Sequence, residues 1–371
     1  MRAEGQLGRR AQESERISIP RGTRHTLPRC TAPIMKKSST AFVGVVGILG
    51  MLCSSGAAGP IRPLRSARVQ AEEPGNVDHL YRIVGKVRLL FFWISADDVG
   101  GARIAWRGGE RDRAVSLLIG SEPQRAPREV NEWGYIREDV AGGSATVFGI
   151  RTITDADSPG EVATRRTQPG RLAEFGILCS TVTALDAESR TATVYLPRDA
   201  TYRHIDRVLD VVERHADWKR RHALRPAGVA PGFLSALDLM LRSTAASARE
   251  AETAPNVPRM AYVYRDAVYD LIARRVERVP RLRTRSGLFR NLLRTEISIR
   301  NRATGSTSGF VIIYGTEGPL AGVPVYAQYQ PKWWFRVELE LDETGDVPAD
   351  PAGEASVRRR IEALCGSATA R

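Results

Sequence analysis

Apolar residues recur at every second position through two long stretches of this chain, and that period constrains the fold more than any motif does. From Tyr81 onward, Val87, Leu89, Phe91 and Trp93 alternate with Arg88, Leu90, Phe92 and Ile94, so that by Leu90 both faces are apolar. A central strand covered on both sides carries that pattern. The stretch "SADDVGG" (95–101) reads as a turn, and strands are expected over 102–107, 114–119, 132–138 and 145–154. Residues 155–170 are rich in turn formers and read as a mobile loop. Residues 175–197 read as a hairpin turning at 186–189.

The period lengthens at Thr201. Ile205, Val208, Leu209, Val212 and Ala216 follow helical spacing, with Asp206, Asp210, Glu213 and Asp217 opposite. Pro231 and Gly232 open a second helix with Phe233, Leu234, Leu237, Met240 and Leu241 on one stripe, fading into a linker from Ser243. Strand character returns from Ala261. The stretch "YVYRDAVYDLIARRV" (262–276) fits strand better than helix because of its tyrosines and valines. Residues 294–301 and 309–314 form a hairpin, 323–328 and 333–341 are further strands, and Val357, Ile361 and Leu364 mark a short terminal helix.

The expected fold is therefore α+β. A predominantly antiparallel sheet in two sequence blocks (79–198 and 253–345) receives a central two-helix insert (199–252), and a tail (346–371) carries the short C-terminal helix.

Upstream, Lys36 and Lys37 precede an uncharged apolar run over 41–52, then small residues to Gly59. That order is the grammar of a secretory signal peptide, here 35–58 starting at Met35. The run is short for a membrane span, which needs about 20 apolar residues. An uncleaved anchor and lipidation at Cys53 are the lesser alternatives, since Leu52 and Gly50 fit a lipoprotein signal poorly. Residues 1–34 read as a disordered extension or an upstream mis-assigned start, and 59–78 as a linker.

The formal charge is +13. Residues 1–34 contribute seven arginines and three glutamates, and residues 35–71 five cations and no acid, leaving 13 − 9 = +4 for the rest. Basicity is thus mostly leader, and with no nucleic-acid motif the chain is not read as a nucleic-acid binder. Of four cysteines, Cys179 and Cys365 lie well beyond the leader; a disulfide between them and a buried free thiol at Cys179 both fit.

Several residues qualify as site candidates, each beside a plainer role. Asp97 and Asp98 are paired carboxylates suited to a cation or to acid–base work, and equally to turn chemistry. Arg281, Arg283 and Arg285 share a face if the chain is extended after Pro280, which suits an anionic partner or a solvated edge strand. In "PKWWFRVELELD" (331–342), alternation puts Trp333, Phe335, Val337, Leu339 and Leu341 in the core. It leaves Trp334 beside Arg336 on a charged face, where an indole stacks on a ligand or on the arginine. His204, His215 and His222 fall on one helical stripe but lie about 10–16 Å apart along it, too far to share a metal. They read as boundary residues against the sheet.

Nucleophile-elbow, zincin, Cys-x-x-Cys, phosphate-loop and dinucleotide signatures do not occur downstream of the leader. The expectation is an exported, periplasmic or envelope protein, non-catalytic and β-rich, that binds a lipid, an anionic glycan or a protein partner, without cofactor or metal. The alternatives are an exported hydrolase with a carboxylate site at Asp97 and Asp98, and a structural envelope-assembly component without a small ligand.

Overall fold

The computed structural model describes residues 77–89, 92–109, 112–126, 131–153, 172–197, 199–224, 228–250, 258–332, 335–342 and 351–366. The expected signal peptide and linker up to residue 76, the expected loop at 155–170 and Trp334 lie outside the described residues. The strands are β1 (Val77–Leu89), β2 (Phe92–Gly108), β3 (Asp112–Ser121), β4 (Trp133–Ala141), β5 (Ser144–Thr152), β6 (Ala173–Val182) and β7 (Asp186–Leu196). They continue as β8 (Lys219–Leu224), β9 (Arg259–Tyr264), β10 (Ala267–Arg283), β11 (Leu288–Asn301), β12 (Thr307–Gly315), β13 (Pro324–Lys332) and β14 (Phe335–Leu341). Helices are α1 (Ile205–His215), α2 (Phe233–Glu250) and α3 (Pro351–Gly366).

The two-block α+β arrangement is overturned. All fourteen strands belong to one antiparallel sheet, in the order β8-β7-β6-β5-β4-β3-β2-β1-β14-β13-β12-β11-β10-β9. Tyr81 of β1 pairs with Ala102 of β2 on one side and with Leu341 of β14 on the other, so the first and last strands are neighbours. A chain pattern of strands, helices, strands cannot reveal that closure, because pairing between distant strands leaves no local mark. The meander itself rests on short turns such as Gly142-Gly143, where both residues have positive φ (56° and 82°), as a two-residue hairpin loop of the primed type needs.

The sheet curls into a nearly closed barrel. Its two ends meet where the chain leaves β8: Ala230 bridges to Tyr262 of β9, and Val229 packs with Val182, Ala187 and Val263. One apolar cluster spans β1–β6 and β9–β14 and includes Phe233, Leu234, Met240, Leu241, Ala245 and Ala248 of α2. The helix therefore lies on the inner face. It is also longer than the sequence suggests, because Ala245 and Ala248 let its second half approach the wall and keep the Ser243–Glu250 stretch helical.

The two central helices do not act as one insert. A strand, β8, separates them, and α1 packs on the opposite, outer face with α3 over β4–β7. Val208, Leu209 and Val212 of α1 and Val357 and Ile361 of α3 meet Tyr135, Phe148, Ile150, Phe175 and Ile177 there. Arg360 of α3 ties the pair, with Nε 2.8 Å from Glu213 Oε1 and Nη2 2.5 Å from Asp210 Oδ1. Cys179 of β6 and Cys365 of α3 form a disulfide with Cα atoms 5.3 Å apart. The histidine stripe also dissolves: α1 ends at His215 and His222 belongs to β8.

Away from the two outer helices, the outer face is ionic. Asp78 lies between Arg103 and Arg107, Asp270 between Arg259 and Arg302, and Arg294 between Glu277 and Glu296. Burial works to raise the Asp78 and Asp270 carboxyls, but the hydrogen bonds and charges of their arginines prevail and hold both below the usual value. An apolar inside and a charged outside reverse the sidedness of a membrane-spanning barrel.

The helix inside is anchored by a buried carboxylate. Glu138 projects inward from β4 and accepts hydrogen bonds from the Leu234 N–H (2.7 Å), the Ser235 N–H (2.8 Å) and the Ser235 hydroxyl (2.6 Å). It substitutes for the N-cap that Gly232 lacks, and a negative charge is favourable at that end of a helix. Glu138→Ala strands these donors in the interior and is expected to cost about 3 kcal/mol in a urea titration. Glu138→Gln, which still accepts through one oxygen, should cost less. Gly232→Ala should also destabilise, since its Cβ would sit 2.4 Å from Glu138 Oε1. The disulfide closes a loop across 186 residues, worth about 5 kcal/mol in the chain-entropy account. Its reduction should lower the unfolding midpoint and speed amide exchange first in α3.

Candidate functional site

The side chains best placed to meet a partner lie where two neighbouring hairpins end together. Val87 pairs with Ile94 of β2 and with Phe335 of β14, and Arg88 stands opposite Trp93. The stretch expected to be one buried strand is thus a hairpin: β1 ends at Leu89 and β2 starts at Phe92. An unbroken apolar run carries no turn signal, which is why the reversal is invisible to periodicity.

On the outer face of this rim the Arg336 guanidinium lies over the Trp93 ring, 4.6 Å from its centroid. Lys86 Nζ is 2.7 Å from Glu338 Oε1, and Arg336 Nη1 is 3.8 Å from the same oxygen. Burial, and then the nearby Glu338 carboxylate, push the Tyr326 phenol well above its ordinary range. Arg88 is exposed on this face, while Ile94, 48% exposed, lies on the opposite face with Val87 and Phe335. Trp334, the expected stacking partner, lies outside the described residues; among the described residues Arg336 stacks on Trp93, two strands away across β1. Its signal was the cross-strand pair Arg88–Trp93, legible only once the hairpin is known.

The second candidate, "SADDVGG", is strand rather than turn. Register slips between Ile83 and Gly85, so Asp97, Asp98 and Val99 bulge out of β2. Asp98 sits at φ 55°, a left-handed backbone that aspartate tolerates better than most residues. Its carboxylate lies between two cations: Arg285 Nη1 at 2.8 Å and Arg82 Nη1 at 3.6 Å. Arg82 Nε also donates to Glu340 at 3.0 Å. Asp97 is exposed.

The third candidate is thereby joined to the second. Arg281 and Arg283 are exposed on the far half of β10, beyond the reach of β9, which pairs only with Ala267–Ile272. Arg281 faces Arg290 directly across the hairpin. Arg285 lies past the strand end and swings to Asp98, while Ser286 Oγ donates to the Leu341 carbonyl at 2.7 Å. Arg281 and Arg283 thus remain solvated edge residues, while Arg285 is a strut between hairpins.

Sequence reasoning missed the interior polar cluster. Asp238, on the second turn of α2, accepts from Trp106 Nε1 (3.0 Å) and Arg242 Nε (2.9 Å) and ion-pairs with Arg113. Arg278 of β10 donates to the Ala248 carbonyl at the far end of the helix (2.6 Å). A usable signal existed: Glu138 falls in the apolar register of Ile136, and the Pro231-Gly232 start offers no capping side chain. Both anomalies answer each other. Among the described residues, no group of three or more His, Cys, Asp or Glu is arranged to hold a metal.

Asp98→Asn should change stability by less than about 1 kcal/mol, as expected for an exposed ion pair, while amide exchange at Ser286 and Leu288 quickens because the strut is gone. Comparison of the chain with protein-family models, with characterised proteins and with solved structures finds no match to any of them.

Proposed function

We propose that this is an exported, non-catalytic barrel protein whose partner, a lipid, an anionic glycan or another protein, binds at the rim formed by the β1–β2 and β13–β14 hairpins. The observation that carries the reading is the Trp93–Arg336 stack on the outer face beside exposed Arg88. A planar indole and a guanidinium held together on a rigid strand offer a flat surface with positive charge, at low entropic cost. Export is supported by the signal-like stretch from Met35 and by the Cys179–Cys365 disulfide, a bond favoured in oxidising compartments. The hydrolase reading has weaker support, because Asp98 is engaged by two arginines rather than poised toward a substrate.

The test is a binding panel of phospholipid vesicles, acidic glycans and envelope-protein fractions. Wild type and the Trp93→Ala/Arg336→Ala double variant are compared at matched melting temperature. At least one member should bind wild type and weaken by about tenfold or more in the variant, the loss expected for about 1.4 kcal/mol of stacking. A panel with no binding, or with equal binding by both proteins, overturns the reading.

A further inference from the structure

The β10–β11 hairpin is flanked unequally. Its strands pair from Tyr269 opposite Asn301 to Arg283 opposite Leu288. On the far side of β11, β12 covers Leu292–Arg300, whereas β9 covers β10 only over Ala267–Ile272. The last backbone bond on that side runs from the Ala273 N–H to the Pro258 carbonyl (3.1 Å). Among the described residues, the stretch from Arg274 to Arg283 bonds through its backbone to β11 alone. Every second residue there points its N–H and C=O away from the sheet, which leaves a free edge about 33 Å long.

This edge is fixed in place. Arg278 ties its inner side to the Ala248 carbonyl at the end of α2, and Arg285 and Ser286 fasten the hairpin tip to Asp98 and Leu341. A strand already ordered adds little entropic cost when a second strand joins it. Its outer face is cationic. Arg275, Glu277, Arg281 and Arg283 share that face by alternation. Glu277, the acid among them, is engaged by Arg275 (2.6 Å) and Arg294 (3.1 Å). Arg281 and Arg283 are exposed, as is Arg290 across from Arg281. Among the described residues these three have no acidic partner. Pairing the edge with its own copy would set arginine against arginine, which like-charge repulsion opposes. Pro280 removes at most one donor from the ladder.

We propose that the free edge of β10 takes up an extended acidic peptide segment of another protein as an added strand. The peptide backbone completes the ladder over Arg274–Arg283, and Asp or Glu at its alternate positions meets Arg281, Arg283 and Arg290. Backbone bonds supply affinity, and the arginine row selects the sequence. Side chains directly opposite on paired strands lie about 5 Å apart, within reach of an ion pair. A glycan or a lipid headgroup would satisfy the arginines and leave the edge N–H and C=O groups in water. A polypeptide offers donors and acceptors at the repeat of a strand. The edge belongs to other strands than the rim at Trp93, and neither reading needs the other.

The test uses the full chain and three fluorescent peptides of about ten residues, matched to the length of the edge. One alternates glutamate with threonine, one alternates lysine with threonine, and the third is the glutamate peptide with every backbone amide N-methylated. The third keeps the charges and loses the donors. By fluorescence anisotropy the glutamate peptide should bind about tenfold or more tightly than the other two, and more weakly as salt rises. It should also slow exchange at the edge-facing amides of 274–283. The Arg281→Glu/Arg283→Glu variant should lose about tenfold in affinity at an unchanged melting temperature, while Trp93→Ala/Arg336→Ala binds as wild type does. No binding of the glutamate peptide overturns the proposal. Equal binding of the methylated peptide also overturns it, since the arginines would then act as a charge patch alone. Protection of the edge-facing amides in the free protein does the same, because the chain would already fill its own edge. Loss of peptide binding in the Trp93 variant moves the peptide to the rim, and the edge assignment falls.

Discussion

A carboxylate buried in the barrel wall, Glu138, bound to the first turn of the helix inside, is the interaction on which the rest of the structure depends. An eight-stranded barrel is about as wide as side chains alone can fill, so a fourteen-stranded sheet must enclose something more. Helix α2 is that filling. Its start is held by Glu138, its second turn by Trp106 and Arg113 through Asp238, and its end by Arg278. Burial is the largest influence on Glu138 and pushes its carboxyl up, against the opposing pull of the Ser235 and Leu234 hydrogen bonds and the Arg113 charge. An unpaired carboxylate there would be costly; paired with a helix start, it fixes where the helix sits.

With the inside filled, the outer face is free to be treated differently along the sheet. Over β4–β7 it is apolar and needs α1 and α3, with the disulfide holding α3 in place. Around β1, β2, β10, β11 and β14 it is a lattice of ion pairs that asks for no cover. At Trp93 the outer face departs from both patterns: an indole lies there among charges, stacked under Arg336 beside exposed Arg88.

Legibility in the sequence followed the range of the interactions. The strands near 114–119, 145–154 and 294–314 and the stripe Val208, Leu209, Val212 were readable because period and turn residues lie within a few positions of each other. Residues 86–95 were not, since an apolar hairpin end looks like a buried strand. The stretch 219–224, expected to continue a helical stripe, became an edge strand because β7 offers an unpaired ladder. The 243–250 stretch looked like a linker because alanine and serine carry little hydrophobic signal, and they are helical because only small residues fit against the wall.

By itself the sequence determined that this chain is mostly β, that its helical period begins at Thr201, and that its positive charge belongs largely to residues 1–71, because each of these is written in local period or in simple counting. Only the tertiary structure decided that both β blocks are one sheet, that the two central helices take opposite faces of it, and that Trp93, far off in sequence, meets Arg336. Those are matters of which strand lies beside which, settled by long-range pairing and by the need to fill the space a fourteen-stranded wall encloses.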